Sequence, residues 1–313
     1  MKRIAQILFV FCLSLSSMSS ELDSFTGRHD WKLRDASKII NDKANESILI
    51  AISKANNKSE NCSEKKLYKE LRKFFKNHYQ GEFVPFILKS KDIDKIQTKF
   101  DDTVYRDFKW YEAFSLAAVK RLYKNSAAYA LNMGGIFIGS DKFEHMFGRG
   151  FKYFESYYLE GKSLRYILKF GQNSEKFFLG AQTTGVYSQG DLAANFNGMR
   201  FWNDMLLLRP DVLDQPAGPY IECQEDKWVQ VKKLDFNHYI DLSFDEATNC
   251  SKFRNKKLLS KVLNRIDELE RETGKPHHCP FVSENLSVLE EKYGPTIGAS
   301  ILNFQGHGSL EEE

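Results

Sequence analysis

Residues 139–158 read GSDKFEHMFGRGFKYFESYY, and this stretch decides how the middle of the chain folds. Ser140 is a residue type that caps helices, so we predict a helix that begins at Asp141. Aromatic residues recur at helical spacing and give this helix one apolar face. They are Phe143, Phe147, Phe151, Phe154 and Tyr158. Gly148 and Gly150 interrupt the run and favour a break in the helix.

The chain that follows changes from helix to strand and back. Residues 183–188, TTGVYS, are β-prone, and Gln189 and Gly190 after them are turn residues. Asp191 can cap a further helix that runs to about Leu208. The local order is therefore a helix, a small sheet and another helix.

Helical periodicity also dominates the N-terminal third. Apolar residues recur at helical spacing over 31–57 and 63–78, and two more such stretches lie within 92–124. Near the C-terminus, residues 256–273 form an amphipathic helix, whereas 220–232 suggests strands. The sequence predicts a mainly α (α+β) protein with a small β-region.

The first twenty residues have the order of a secretory signal. Met1, Lys2 and Arg3 precede an apolar run over 4–15, and small residues follow. This run is shorter than the roughly 20 residues that cross a bilayer. We therefore expect a secreted or periplasmic protein with no membrane insertion.

Composition divides the rest of the chain into three parts. Residues 21–125 are predicted to be a helical N-terminal support region. Residues 126–210, rich in glycine and aromatic residues and poor in charge, are the expected functional core. Residues 211–313 are expected to be a C-terminal extension that disulfides cross-link.

Cysteine content and net charge narrow the function. An even number of cysteines in an exported chain predicts two disulfides, with three pairings open. The four cysteines after the signal are Cys62, Cys223, Cys250 and Cys279. The formal net charge is +3, and it falls to 3 − 2 = +1 without the two basic residues of the signal. This balance does not favour nucleic-acid binding, and we expect a monomer.

Glu144 is the first candidate for chemistry, because it shares its helix stripe with a glycine and an aromatic residue. A carboxylic acid near apolar groups keeps its proton to higher pH, which suits a general acid. Glu155 lies eleven residues further on, about 16 Å along a straight helix. Glycosidase carboxylates are about 5 to 9.5 Å apart. Glu144 and Glu155 can therefore pair only if the chain turns near Gly148, and otherwise Asp191 is the better partner.

A metal site is an alternative interpretation of the same segment, and the sequence favours it less than a general acid. Asp141, Glu144 and His145 could supply ligands, but Asp141 and His145 at a spacing of four residues are typical of an ion pair. The sequence contains no His-Glu-x-x-His motif. We predict no metal and no other cofactor.

Two segments together resemble a known enzyme family. Residues 139–148, GSDKFEHMFG, followed by Phe154 and Glu155 and then by 184–195, TGVYSQGDLAAN, resemble divergent lysozyme-superfamily enzymes of predatory bacteria. Those enzymes cleave deacetylated peptidoglycan. The resemblance covers about residues 139 to 203.

This resemblance implies a lysozyme-like helical domain that acts on the glycan strand of peptidoglycan. It implies Glu144 as the general acid and Glu155 as the second catalytic carboxylate. We assign substrate contacts to four residues of the second segment. They are Tyr187, Ser188, Asp191 and Asn195.

Three functions follow from these patterns. The first is a peptidoglycan glycosidase that prefers deacetylated substrate. The second is a non-catalytic envelope protein that binds glycan. The third is a metal-dependent periplasmic hydrolase.

Overall fold

The computed structural model describes residues 21–114, 126–284 and 286–312. The expected signal at 1–20 lies outside the described residues, as does the end of the predicted helical stretch, 115–125. The described chain is mainly α-helical with three small sheets. The predicted α+β class is therefore confirmed.

The helices bury apolar stripes at the spacing that the sequence predicts. On α1, for example, the buried residues Ile40, Ala44, Ile48 and Ala51 follow one face. The helices are α1 (Ser37–Asn56), α2 (Glu64–Phe74), α3 (Phe83–Lys89), α4 (141–159), α5 (Leu164–Ser174), α6 (Gln189–Asp204), α7 (Lys256–Thr273) and α8 (Leu286–Ile301). Short 3-10 turns lie at Arg28–Asp30, Phe100–Asp102, Phe236–His238, Leu242–Phe244 and Leu310–Glu312.

Three small sheets surround these helices. The first is antiparallel and consists of β1 (Ile96–Lys99), β2 (Ser126–Met133) and β3 (Ile136–Gly139). The second joins β4 (Val186–Tyr187), β7 (Lys252–Phe253) and β8 (Gly308–Ser309). The third is the hairpin of β5 (Ile221–Gln224) and β6 (Lys227–Gln230). Because β3 runs through Ser140 directly into α4, the first sheet fixes where α4 begins.

Helix α4 is one continuous helical stretch that changes its winding. Residues Asp141–Glu144 and Gly150–Phe154 are α-helical, whereas His145–Arg149 and Glu155–Leu159 are π-helical turns. The expected break near Gly148 and Gly150 was wrong, since helical geometry continues to Leu159. A further π-helical turn, Glu175–Leu179, follows α5.

Glycines let α4 and α6 approach closely, which explains why Gly150 does not break the helix. A Cβ atom on Gly150 would lie 2.6 Å from the Cα of Gly198. A Cβ atom on Gly198 would lie 2.2 Å from the carbonyl oxygen of Met146. Neither position has room for a side chain, so both glycines serve helix packing.

One hydrophobic core cluster joins the N-terminal helices, the middle and the C-terminal part. Phe143 and Phe147 of α4 pack against Phe83 of α3, with ring centroids 6.3 and 5.5 Å away. Every residue of α6 is buried. Helix α6 is therefore the centre of the fold, and α4 lies directly against it.

Two predicted elements differ from the structure. The two helical stretches expected within 92–124 are not formed over residues 92–113, where β1 pairs with β2 and turns follow. The helix predicted to start from Asp191 begins at Gln189 instead. Its cap is Ser188, whose Oγ accepts a hydrogen bond from the backbone N–H of Asp191 at 3.1 Å.

Two disulfides join distant parts of the chain, as predicted. Cys62 pairs with Cys223, and Cys250 pairs with Cys279. Disulfides are typical of oxidising compartments. Within the described ranges, no helix has both the length and the apolarity that a bilayer crossing requires.

Candidate functional site

Glu144 is a partly exposed carboxylate in the first turn of α4. Its side chain is 16% exposed, and its Oε1 lies 2.5 Å from Nδ1 of His78 in the loop between α2 and α3. The His78 ring contacts that of Tyr79, with centroids 3.8 Å apart, and Tyr79 is half exposed. Glu144 is thus held in place at the surface beside a histidine and an exposed aromatic residue.

Glu155 does not come close to Glu144. Both residues lie on the continuous α4, eleven positions apart, and this spacing corresponds to roughly 16 Å of helix. The Oε2 of Glu155 accepts a hydrogen bond from Nζ of Lys152 at 2.7 Å, and the Glu155 side chain is 32% exposed. The turn on which their pairing depended is absent, so the two carboxylates are not brought together.

A buried ion cluster surrounds Lys142, two residues before Glu144 on α4. The Lys142 side chain is fully buried, and its Nζ contacts three carboxylates. The distances are 2.6 Å to Oδ2 of Asp141, 2.7 Å to Oδ1 of Asp191 and 2.6 Å to Oε1 of Glu246. This one ammonium therefore ties the start of α4 to the start of α6 and to the C-terminal part of the chain.

Burial and the neighbouring charges shift the pKa values in this cluster in opposite directions. Burial alone lowers the pKa of Lys142, but the charges of Asp141 and Asp191 raise that pKa well above its usual value. Burial raises the pKa of Glu246 to about 7, against the lowering effect of Lys142. The ammonium stays charged, and the surrounding carboxyl groups differ in how firmly they hold a proton.

Two more buried acids face the same cluster. Burial raises the pKa of Glu21 and that of Glu175 well above the usual range, and the Asp191 charge adds to both effects. The Oε1 of Glu175 accepts a hydrogen bond from the backbone N–H of Ser188 at 3.3 Å. The region therefore holds more acidic than basic groups.

His145 connects α4 to α6 at the edge of the cluster. Its Nε2 lies 3.1 Å from Oδ2 of Asp191, and its Nδ1 lies 3.2 Å from Oδ1 of Asn195. The expected ion pair between Asp141 and His145 is thus replaced by one between His145 and Asp191. Burial raises the pKa of Asp191, but His145 and Lys142 outweigh it and lower that pKa overall.

The four predicted substrate contacts are brought together, but beneath the surface. Tyr187, Ser188, Asp191 and Asn195 are all buried. Ser188 caps α6 and also donates through its Oγ to Oε1 of Glu246 at 2.6 Å. Asp191 and Asn195 are engaged by Lys142 and His145. In this structure these residues bind other protein groups and set the position of α6.

The sequence analysis did not predict that three residues, His78, Lys142 and Glu246, belong to the site. A signal exists for Lys142, because it begins a second stripe of α4 that continues through the buried residues Met146 and Tyr153. A lysine on a buried stripe needs acidic partners. His78 and Glu246 lie far from α4 in the sequence, and no local pattern marks them.

The described residues contain two groups that could hold a metal ion. Asp141, His145 and Asp191 are buried, whereas Asp267, Glu270 and His278 lie near the surface around the end of α7. In each group the three ligand atoms lie within 4.8 Å of one another. The first group is the one next to Glu144.

Comparisons with known proteins identify no relative. No protein-family model, no curated protein and no solved structure matches this chain. The candidate site is therefore described from its geometry alone. The partly exposed Glu144 carboxylate contacts His78, and a buried ion cluster surrounds Lys142 on the same helix.

Proposed function

We propose that this protein is a peptidoglycan glycosidase in which Glu144 is the general acid. One observation carries the proposal. The Oε1 atom of Glu144 lies 2.5 Å from Nδ1 of His78, and the Glu144 side chain is 16% exposed. A general acid needs a fixed position within reach of the substrate, and the His78 contact together with this partial exposure supports that role for Glu144.

The other acids near the start of α4 suit this role less well. Asp141 and Asp191 are buried and engaged by Lys142. Glu155 is exposed and pairs with Lys152. The ion cluster around Lys142 instead holds the start of α4 in position, so that Glu144 keeps its orientation while its proton is transferred.

In the proposed reaction, the Glu144 carboxyl group donates its proton to the glycosidic oxygen as the bond to the anomeric carbon breaks. A nucleophile then attacks the anomeric carbon and returns a proton to the Glu144 carboxylate. Attack by water gives a new reducing end, and attack by a hydroxyl group of the same sugar gives an anhydro end. Glu155 is too far along α4 to assist either step.

The preference for deacetylated glycan is proposed from the resemblance of residues 139–148 and 184–195 to lysozyme-superfamily enzymes that cleave such glycan. Removal of acetyl groups leaves a cationic amine on each glucosamine.

The test is to incubate the exported chain with purified peptidoglycan, both native and enzymatically deacetylated, and to identify the soluble products by mass spectrometry. The proposal predicts glycan fragments with new reducing or anhydro ends, released faster from the deacetylated wall. Binding to both walls without soluble fragments would instead identify a glycan-binding protein. Cleavage of peptide bonds only would identify an amide hydrolase.

A further inference from the structure

We propose that Asp141, His145 and Asp191 bind one divalent transition-metal ion, with Zn²⁺ as the expected ion. This inference does not depend on glycan cleavage. Asp141 and His145 lie one turn apart on α4, and Asp191 lies in the first turn of α6. A metal ion there would join the two helices that carry the site.

The spacing of the ligand atoms fits one metal ion. Ligands of Zn²⁺ lie about 2.0 to 2.2 Å from the ion, and so at most about 4.4 Å from each other. Nε2 of His145 and Oδ2 of Asp191 are 3.1 Å apart and already meet this condition. The three ligand atoms together lie within 4.8 Å of one another, so only a small side-chain rotation is needed.

Unpartnered oxygen atoms provide a second and independent observation. Two buried oxygens on α4 and α6 accept no hydrogen bond from any described residue. They are Oδ1 of Asp141 and the amide oxygen of Gln189, two residues before Asp191. Buried acceptors without donors are unfavourable. A bound cation would satisfy such a surplus of acceptors.

Charge balance points the same way. Bound to one ion, the carboxylates of Asp141 and Asp191 would supply two negative charges, which match a divalent cation. The third carboxylate of the cluster, that of Glu246, contacts the Lys142 ammonium at 2.6 Å. His145 would bind through an imidazole nitrogen.

The residues around the three ligands have the arrangement of an outer shell. Metal-binding histidines usually direct their other ring nitrogen to a protein acceptor, and Nδ1 of His145 lies 3.2 Å from Oδ1 of Asn195. Lys142 binds a single oxygen of each aspartate, Oδ2 of Asp141 and Oδ1 of Asp191. The other oxygen of Asp191, Oδ2, lies 3.1 Å from Nε2 of His145.

The test measures metal binding directly on the full exported chain. Bound metal is counted by mass spectrometry, the chain is stripped with a chelator, and Co²⁺ is titrated in while visible absorption is recorded. We expect one equivalent of metal and the intense bands of four-coordinate Co²⁺. His145→Ala should weaken Co²⁺ binding by at least 100-fold. His278→Ala, in the surface group at the end of α7, is the matched control and should leave it unchanged.

A second variant keeps the test valid if His145→Ala does not fold. Asn195→Ala removes only the outer-shell partner and should weaken Co²⁺ binding by about 10- to 100-fold. The proposal is overturned if the stripped, unmodified chain takes up no Co²⁺ or Zn²⁺. It is equally overturned if a folded His145→Ala chain binds Co²⁺ as tightly as the unmodified chain. These readouts need no enzymatic activity, so they are separate from the test of glycan cleavage.

Discussion

The Nδ1 atom of His78 lies 2.5 Å from Oε1 of Glu144, although the two residues are 66 positions apart in the chain. This contact ties the loop between α2 and α3 to the first turn of α4. It gives the proposed general acid a fixed orientation.

Replacement of His78 by alanine should therefore impair catalysis more than folding. We expect glycan cleavage by His78→Ala to be about 10- to 100-fold slower, because a misplaced catalytic group loses about that much. The exposed His238 offers a control in His238→Ala. An unchanged rate in His78→Ala would remove His78 from the account.

The close crossing of α4 and α6 predicts a strong contrast between two glycines. Gly198→Ala would place a Cβ atom 2.2 Å from the Met146 carbonyl oxygen, and the resulting overpacking should cost about 1 to 3 kcal/mol or more of unfolding free energy. At Gly148 a Cβ atom would meet nothing within 4 Å. Gly148→Ala should therefore be neutral or stabilising by up to about 1 kcal/mol. Urea unfolding measures both, and equal effects would contradict the crossing.

The two disulfides should differ in their effect on stability because they close loops of different length. Cys62–Cys223 spans 161 residues, and Cys250–Cys279 spans 29. The loss of chain entropy predicts contributions of about 5 and about 4 kcal/mol, respectively. Paired serine substitutions at each disulfide, followed by urea unfolding, test this order. A larger loss for the shorter loop would show that chain entropy does not dominate.

Asp204 predicts a pH dependence of stability that a single substitution removes. Burial raises the pKa of Asp204 to about 6, whereas an unfolded aspartate has a pKa of about 3.9. The folded chain thus holds this proton more tightly. The resulting stabilisation is complete below about pH 4 and is lost as the pH rises through about 6, a change of about 3 kcal/mol.

Asp204→Asn keeps an oxygen that can accept hydrogen bonds from Tyr239 and Ala217, but it does not titrate. Between pH 4 and pH 7 the variant should gain about 2 kcal/mol in unfolding free energy relative to the unmodified chain. Other titrating groups are common to both proteins and cancel in the difference. A difference that stays constant over this pH range would show that Asp204 does not titrate as the structure indicates.

Helix positions were largely predictable because they depend on local periodicity. The amphipathic pattern over 256–273 predicts α7 with the observed bounds, and the start of α4 at Asp141 follows from its cap position. Residues 92–113 show where this reasoning fails. Their apolar residues Val104, Tyr105 and Phe108 join a second core cluster with α7, and tertiary packing overrides the helical spacing.

The site was only partly predictable, since it depends on contacts between distant residues. The position of Glu144 on its helix stripe predicts it as a site residue. The segment that holds Asp191 and Asn195 is predicted from its resemblance to lysozyme-superfamily enzymes. The partners that determine what these residues do, His78 and Glu246, come from loops with no distinctive local pattern. A spacing argument also cannot tell a glycine that breaks a helix from one that packs against another helix, as Gly150 does.

The most direct test of the central claim compares two conservative substitutions on the same helix. Glu144→Gln removes the proposed acid, and Glu155→Gln removes a carboxylate that contacts Lys152 at the exposed end of α4. The measurement is the rate at which each purified, folded protein releases glycan fragments from deacetylated peptidoglycan. The account predicts a loss of about 10²- to 10⁴-fold for Glu144→Gln and a nearly unchanged rate for Glu155→Gln. Full activity of Glu144→Gln, or an equal loss in both variants, would contradict it.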